Sequence, residues 1–233
     1  MRERPSSNPR PTARQTTFSV DVVAIRPQAD SLAVLLTKLP DPRSRERWIL
    51  PWDAPRGEES LADAAARIAR AILGSAPSAI QQIHAFDSSR RHPGDAEVSV
   101  GFFALVPEAG RPVPDTNHSW FGIGNFPTLA PRHRAIIDAA VEAIRDRLDQ
   151  SPLAFRLLPP IFTLSELQSI YELLLGRRLH KASFRRALQA AYLVEPTDEW
   201  RSEGRGRPAQ LFRYAPKKRR ENRRGVRFDL LPG

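Results

Sequence analysis

The chain has 233 residues, 36 Lys+Arg against 26 Asp+Glu, a formal net charge of +10 and no cysteine. The missing cysteine excludes disulfides, thiolate zinc sites and cysteine nucleophiles, and fits a reducing, cytoplasmic setting. The charge is unevenly placed: residues 151–233 hold 17 Lys+Arg against 8 Asp+Glu, while residues 1–150 hold 19 against 18. A near-neutral module joined to a basic one excludes a uniform single domain and points the basic half at a polyanion.

Residues 1–15 are rich in Pro, Ser and Arg, lack an apolar signal core and read as a disordered basic tail. Phe18 to Ile25 and Leu32 to Thr37 read as strands separated by the turn-like Pro27-Gln28-Ala29-Asp30, and Trp48-Ile49-Leu50 begins a third short run. Leu61 to Leu73 repeats Leu61, Ala64, Ala65, Ile68 and Ile72 at helical spacing. Strand patterns follow at Ile80 to Phe86, where the alternation puts His84 among core positions, and at Glu97 to Val106. A helix over about Arg132 to Leu148 closes an α/β (α+β) first domain, set at residues 16–150. No stretch approaches the ~20 apolar residues of a membrane span.

A second domain is set at residues 151–215, after a short linker near Gln150-Ser151-Pro152. Thr163-Leu164-Ser165-Glu166 has the form of a capping box, with Phe162 and Leu167 placed as a hydrophobic staple. The helix it starts should stop at Gly176. After a short turn, a second helix over Ala182 to Tyr192 carries Phe184, Leu188, Ala191 and Tyr192 on its apolar side. Arg185, Arg186 and Gln189 lie on the other side, and Val194 to Tyr214 reads as a hairpin. Two helices with a tight turn and a hairpin describe a winged helix–turn–helix. Its expected DNA contacts are Lys181, Ser183, Arg185, Arg186 and Gln189 on the helix, and Arg205 and Arg207 at the hairpin tip. Residues 216–233 form a basic C-terminal tail suited to phosphate contacts without sequence information.

In the first domain, Trp48-Ile49-Leu50-Pro51, Glu59, Arg67 and Gly74 resemble a degenerate Nudix box, with Asp53 at the position of its first glycine. Ile68, Ala71 and Ile72 stand where the pattern has glutamates. A hard cation requires such oxygen ligands, so neither metal nor catalytic residues are expected, and no cofactor. Further matches are Arg91-His92-Pro93, Val98 to Val106, Arg132-His133-Arg134, Leu157-Leu158-Pro159, Phe184-Arg185-Arg186 and Gly206-Arg207-Pro208-Ala209-Gln210-Leu211-Phe212. With these, the chain resembles the Nudix-related transcriptional regulators of NAD metabolism, the NrtR family.

The resemblance implies a Nudix-fold α/β/α sandwich followed by a winged helix–turn–helix domain, a homodimer, operator DNA as partner and ADP-ribose as effector. Expected effector-binding residues are Trp48, Arg67, Arg90 and Arg91. For Trp48 the alternative is a core side chain; for Arg67, an ion pair with Glu59; for Arg90 and Arg91, a solvated loop. Leu50-Pro51-Trp52-Asp53 replaces the family's Leu-Pro-Gly-Gly, and His92-Pro93-Gly94 ends a run that is Arg-Asp-Pro-Arg in the family. Trp52 is expected to reshape the pocket mouth and Asp53 to repel a diphosphate, leaving another nucleotide sugar, or no small molecule, as the alternatives to ADP-ribose. The rival functions are a Nudix-type hydrolase with a basic accessory domain and a sequence-blind nucleic-acid binder.

Overall fold

The computed structural model describes residues 16–39, 47–87, 90–107, 116–202 and 208–215. Both charged tails, and the hairpin-tip residues Arg205 and Arg207, lie outside the described residues.

A mixed sheet forms the body of the first domain. Strands β1 (Phe18–Gln28), β2 (Ser31–Lys38), β3 (Trp48–Ile49), β4 (Trp52–Asp53), β5 (Ala79–Phe86), β6 (Val98–Leu105) and β7 (His118–Gly122) belong to it. The order is β3-β2-β1-β6-β5, with β4 on β1 and β7 on β2. β1 and β6 are parallel, from Phe18 opposite Val98 to Ile25 opposite Leu105. Their flanking positions bury both faces, which explains the nearly continuous apolar reading of β1. Its alternation sorts side chains between two helices. Val20, Val22 and Ala24 join Ala64, Ala65 and Ile68 of α1 (Leu61–Leu73). Val23 and Ile25 join Ile136 and Ile137 of α2 (Pro131–Arg147). The result is the expected α/β/α sandwich.

Three local expectations are corrected. The first strand continues through Pro27 and Gln28, and the turn is a two-residue one at Ala29 and Asp30, with Ala29 at φ 48°. β4 and β7 are strands that apolar patterning does not mark, the first too short and the second half-buried along its length. His84 is exposed rather than in the core, because β5 slips register against β6 between Gln82 and Ala85 and the alternation changes phase there.

The second domain begins with a 3₁₀ turn at Ala154–Leu157 and strand β8 (Ile161–Thr163). Helices α3 (Leu164–Leu175) and α4 (Lys181–Ala191) follow, then strands β9 (Val194–Arg201) and β10 (Ala209–Tyr214). The three strands form an antiparallel sheet in the order β8-β10-β9. The capping box is complete: Glu166 N donates to Thr163 Oγ1 at 3.1 Å, and Thr163 N donates to Glu166 Oε2 at 2.6 Å. Gly176, at φ 69°, ends α3 in the left-handed conformation that glycine tolerates best.

On α4, Phe184 and Leu188 are buried as expected, but Tyr192 is 51 % exposed. Tyr192 is itself a left-handed C-cap at φ 52°, which turns its ring outward and brings Leu193 into the core instead.

One apolar cluster runs through both domains. Ile144 and Leu148 at the end of α2 share it with Leu153, Phe155 and Leu157, then with Phe162, Leu167, Tyr171 and Phe184. Arg145 Nε adds a bond to the carbonyl of Leu174 at 3.1 Å. The expected linker is therefore a packed joint.

Candidate nucleic-acid interface and sensor site

The turn between α3 and α4 is built around one carboxylate. Glu172 Oε1 accepts from Leu179 N at 2.9 Å and from Gln168 Nε2 at 2.9 Å, while Oε2 accepts from Arg178 Nη1 at 3.0 Å. Gln168 Nε2 also donates to Leu179 O at 2.9 Å. Burial raises the Glu172 pKa, but the bonds from Gln168, Leu179 and Arg178 outweigh it and hold the carboxyl below its ordinary value. With Leu179 buried, this network fixes where α4 starts. Lys181, Arg185, Arg186 and Gln189 of α4 are exposed, and Ser183 is half-buried with its hydroxyl 3.3 Å from His180 Nδ1. Among the described residues, Lys181, Arg185 and Arg186 have no ionic partner. At the other end of the hairpin, Arg201 Nη1 donates to Glu166 Oε1 at 2.7 Å, tying the end of β9 to the start of α3.

At the former Nudix box, Arg67 is committed. Its Nε and Nη2 donate to Glu59 Oε1 and Oε2, both at 2.9 Å, its Nη1 to Asp53 Oδ2 at 2.7 Å and its Nη2 to Ala54 O at 3.1 Å. Arg56 Nη2 also donates to Asp53 Oδ2, at 2.8 Å. Of the two roles considered for Arg67, this geometry is the ion pair. Asp53 is compensated rather than repulsive, since two guanidiniums share its carboxylate. Ile68 is buried and Ile72 half-buried, both packed on the sheet, while Ala71 is exposed.

A cluster that the sequence did not mark lies under β4. Asp21, His92 and His133 are fully buried, with His92 Nε2 and His133 Nε2 each 3.0 Å from Asp21 Oδ1. Ser19 Oγ donates to Asp21 Oδ2 at 2.7 Å. These three residues place their ligand atoms close enough for a cation. A metal-bound histidine, however, gives its lone pair to the metal and carries the proton on its other nitrogen. Here His92 Nδ1 accepts from Gly94 N and His133 Nδ1 accepts from Leu50 N, each at 3.0 Å. Each Nδ1 is thus an acceptor, and each Nε2 is the nitrogen turned toward Asp21. The trio is a carboxylate facing two imidazole Nε2 atoms whose Nδ1 partners are backbone amides, and it does not fit a cation.

Burial raises the Asp21 pKa, yet the side-chain interactions with His133 and His92 outweigh it and hold its carboxyl below the usual range. Arg132 completes the arrangement. It is buried and donates from Nε to Arg90 O at 2.7 Å and from Nη1 to the carbonyls of Ala96 and Glu97.

Trp52 covers this cluster. Its ring meets His92 edge-on at 4.8 Å, and a Cβ on Gly94 would fall 2.1 Å from its Cη2. Trp48 is half-buried, stands edge-on to Phe121 at 4.9 Å and walls an open cavity of about 420 Å³ with Lys38, Arg47, Pro127 and Thr128. Arg90 and Arg91 are exposed on the segment that Arg132 holds from below. Of the four expected effector residues, Trp48 walls the cavity, Arg67 is paired with Glu59 and Asp53, and Arg90 and Arg91 are exposed.

Residues 154–214 match the NrtR DNA-binding winged helix domain family. The chain is 29 % identical over 206 residues to the "ADPR responsive transcriptional repressor NtrR" of Acinetobacter baylyi, covering 85 % of this chain and 82 % of that protein. Among solved structures it is similar to Shewanella oneidensis NrtR in complex with a 27mer DNA. That match has a TM-score of 0.75 and 28 % identity, over 85 % of this chain and 94 % of the other. A MutT/nudix family protein of Enterococcus faecalis shares the fold, with a TM-score of 0.70 and 22 % identity over 87 % of this chain and 89 % of its own.

Proposed function

We infer that this chain, an NrtR-family Nudix-related regulator, represses transcription by binding operator DNA and releases it when ADP-ribose occupies the Nudix-fold domain. The observation that carries the reading is α4. It is a helix started by a defined turn, with three cations that have no ionic partner among the described residues and a glutamine on its exposed side, the side chains a major-groove helix uses. Arg185 and Arg186 suit guanine edges or phosphates, Gln189 suits adenine, and Lys181 and Ser183 lie at the helix start, where base and phosphate contacts concentrate. Arg205 and Arg207 are assigned to the flanking groove.

The domain does no Nudix hydrolysis in this reading. Mg²⁺ needs several oxygen ligands, whereas Ile68, Ala71 and Ile72 offer none and Glu59 is consumed by Arg67. Incubation with ADP-ribose and Mg²⁺ should release no AMP; turnover would restore the hydrolase alternative.

The active species is a homodimer reading a pseudo-palindrome with half-sites about 10 or 21 bp apart. Because α2 and α3 share one core, a shift of α2 on effector binding passes directly into the winged helix of the same protomer. Two displaced recognition helices then no longer match both half-sites. Linkage requires DNA to weaken effector binding by the same factor. A footprint with one asymmetric half-site, or a monomer on the operator, would contradict the dimer.

A further inference from the structure

The cations near the former box are already used: Arg56 and Arg67 on carboxylates, Arg132 on backbone carbonyls. Where β2 pairs with β3 the opposite holds. Lys38 lies across from Trp48 in the strand register, and Leu39 N donates to Arg47 O at 2.8 Å, so Lys38, Arg47 and Trp48 converge on one edge. Among the described residues, neither the Lys38 nor the Arg47 side chain has an ionic or hydrogen-bonding partner, and both are exposed. Both line the cavity that Trp48, Pro127 and Thr128 also line.

Two exposed like charges lining one cavity, with no ionic partner among the described residues, are satisfied best by an anion with several oxygens. Guanidinium and ammonium groups both match phosphate. An indole fixed by Phe121 supplies a flat apolar wall next to them. At about 420 Å³ the cavity falls toward the lower end of small-ligand sites, which run from roughly 300 to 1,000 Å³. We propose that this cavity holds a nucleoside phosphate group: Lys38 and Arg47 on the phosphate oxygens, Trp48 against the base or ribose, and Thr128 as a further hydrogen-bond donor. The anion is then held by protein cations, without a metal. The assignment rests on the reading of a nucleotide-responsive regulator and names which surface of the sensor takes the anionic part.

Calorimetric titration of the full chain with ADP-ribose and, separately, with AMP tests this, both in EDTA. The wild type and the Lys38→Gln/Arg47→Gln double variant are compared, with operator affinity in the absence of nucleotide as the check on folding. The expected result is EDTA-insensitive binding that the double variant weakens tenfold or more, with operator affinity unchanged. If the wild type and the double variant bind ADP-ribose equally, the site is refuted while the ADP-ribose reading stands. Binding of AMP alone, lost in the double variant, keeps the site and removes ADP-ribose as effector. Binding of neither nucleotide by the wild type overturns both.

Discussion

Replacing Gly94 with alanine probes the contact that closes the sensor over its buried cluster. The added Cβ would stand 2.1 Å from Trp52 Cη2 and 2.3 Å from Cζ2. Ordinary contacts between carbons are about 3.5–4.0 Å, so the indole must retreat by roughly 1.5 Å and give up its edge contact with His92. Overpacking of this kind costs roughly 1–3 kcal/mol. In a chain of this size that is a fall in Tm of roughly 2–12 °C, at ~2–4 °C per kcal/mol. The cost depends on the indole. In a Trp52→Ala background the three nearest atoms to the added methyl are gone, and the cost should fall away, with up to about 0.4–1 kcal/mol of stabilisation through the unfolded chain. Urea unfolding of the wild type, both single variants and the double variant gives the coupling directly. A Gly94→Ala cost that is the same in both backgrounds would refute the packing of Trp52 on Gly94, and with it the account of how Trp52 and Gly94 fit each other.

Glu172→Ala should leave the Leu179 amide unpaired and cost about 1–3 kcal/mol in stability, with weaker operator binding because α4 loses its fixed start; unchanged operator affinity would contradict that role. Arg186→Ala should weaken operator binding by roughly 1–3 kcal/mol if it reads a base, and an equal loss on random DNA would make it a phosphate contact. Asp21 gives a pH dependence. Its carboxyl is held below the ordinary value of about 3.9, so its contribution to stability is complete above that pH and is lost as pH falls toward the lowered native value. Urea midpoints between pH 3 and 7 should fall less steeply on the acid side for Asp21→Asn than for the wild type; parallel curves would show that Asp21 does not carry this dependence. Deleting residues 216–233 should lower affinity for all DNA while leaving the preference for operator intact. Loss of that preference would favour the sequence-blind binder.

How much of this was legible in the sequence varies with distance along the chain. Thr163, Glu166 and Gly176 act on neighbours a few residues away, so the start and stop of α3 could be read directly and both fall where expected. Phe184 and Leu188 follow helical spacing and are buried. Tyr192 has the same spacing, yet a left-handed cap decides its direction, and periodicity does not report backbone φ. His84 fails for a related reason: a register slip in an edge strand resets the alternation.

The buried cluster escapes for a different cause. Asp21, His92 and His133 are separated by 71 residues or more from the first to the others, and only the fold brings them together. One signal was present. Asp21 is an acidic residue inside the apolar run Phe18 to Ile25, and a buried carboxylate demands partners. The compensation of Asp53 by Arg56 and Arg67 could likewise not be weighed before their side chains were placed. The cavity beside Trp48 depends on a cross-strand register that no local pattern encodes.

The most direct test is fluorescence anisotropy of the full chain on its own upstream DNA, with random-sequence competitor present, while ADP-ribose is titrated. Specific binding that ADP-ribose reverses, without Mg²⁺ and without consumption of the nucleotide, is the predicted result. Specific binding that ADP-ribose leaves untouched would contradict the effector assignment, and binding no tighter than to random DNA would contradict the regulator itself.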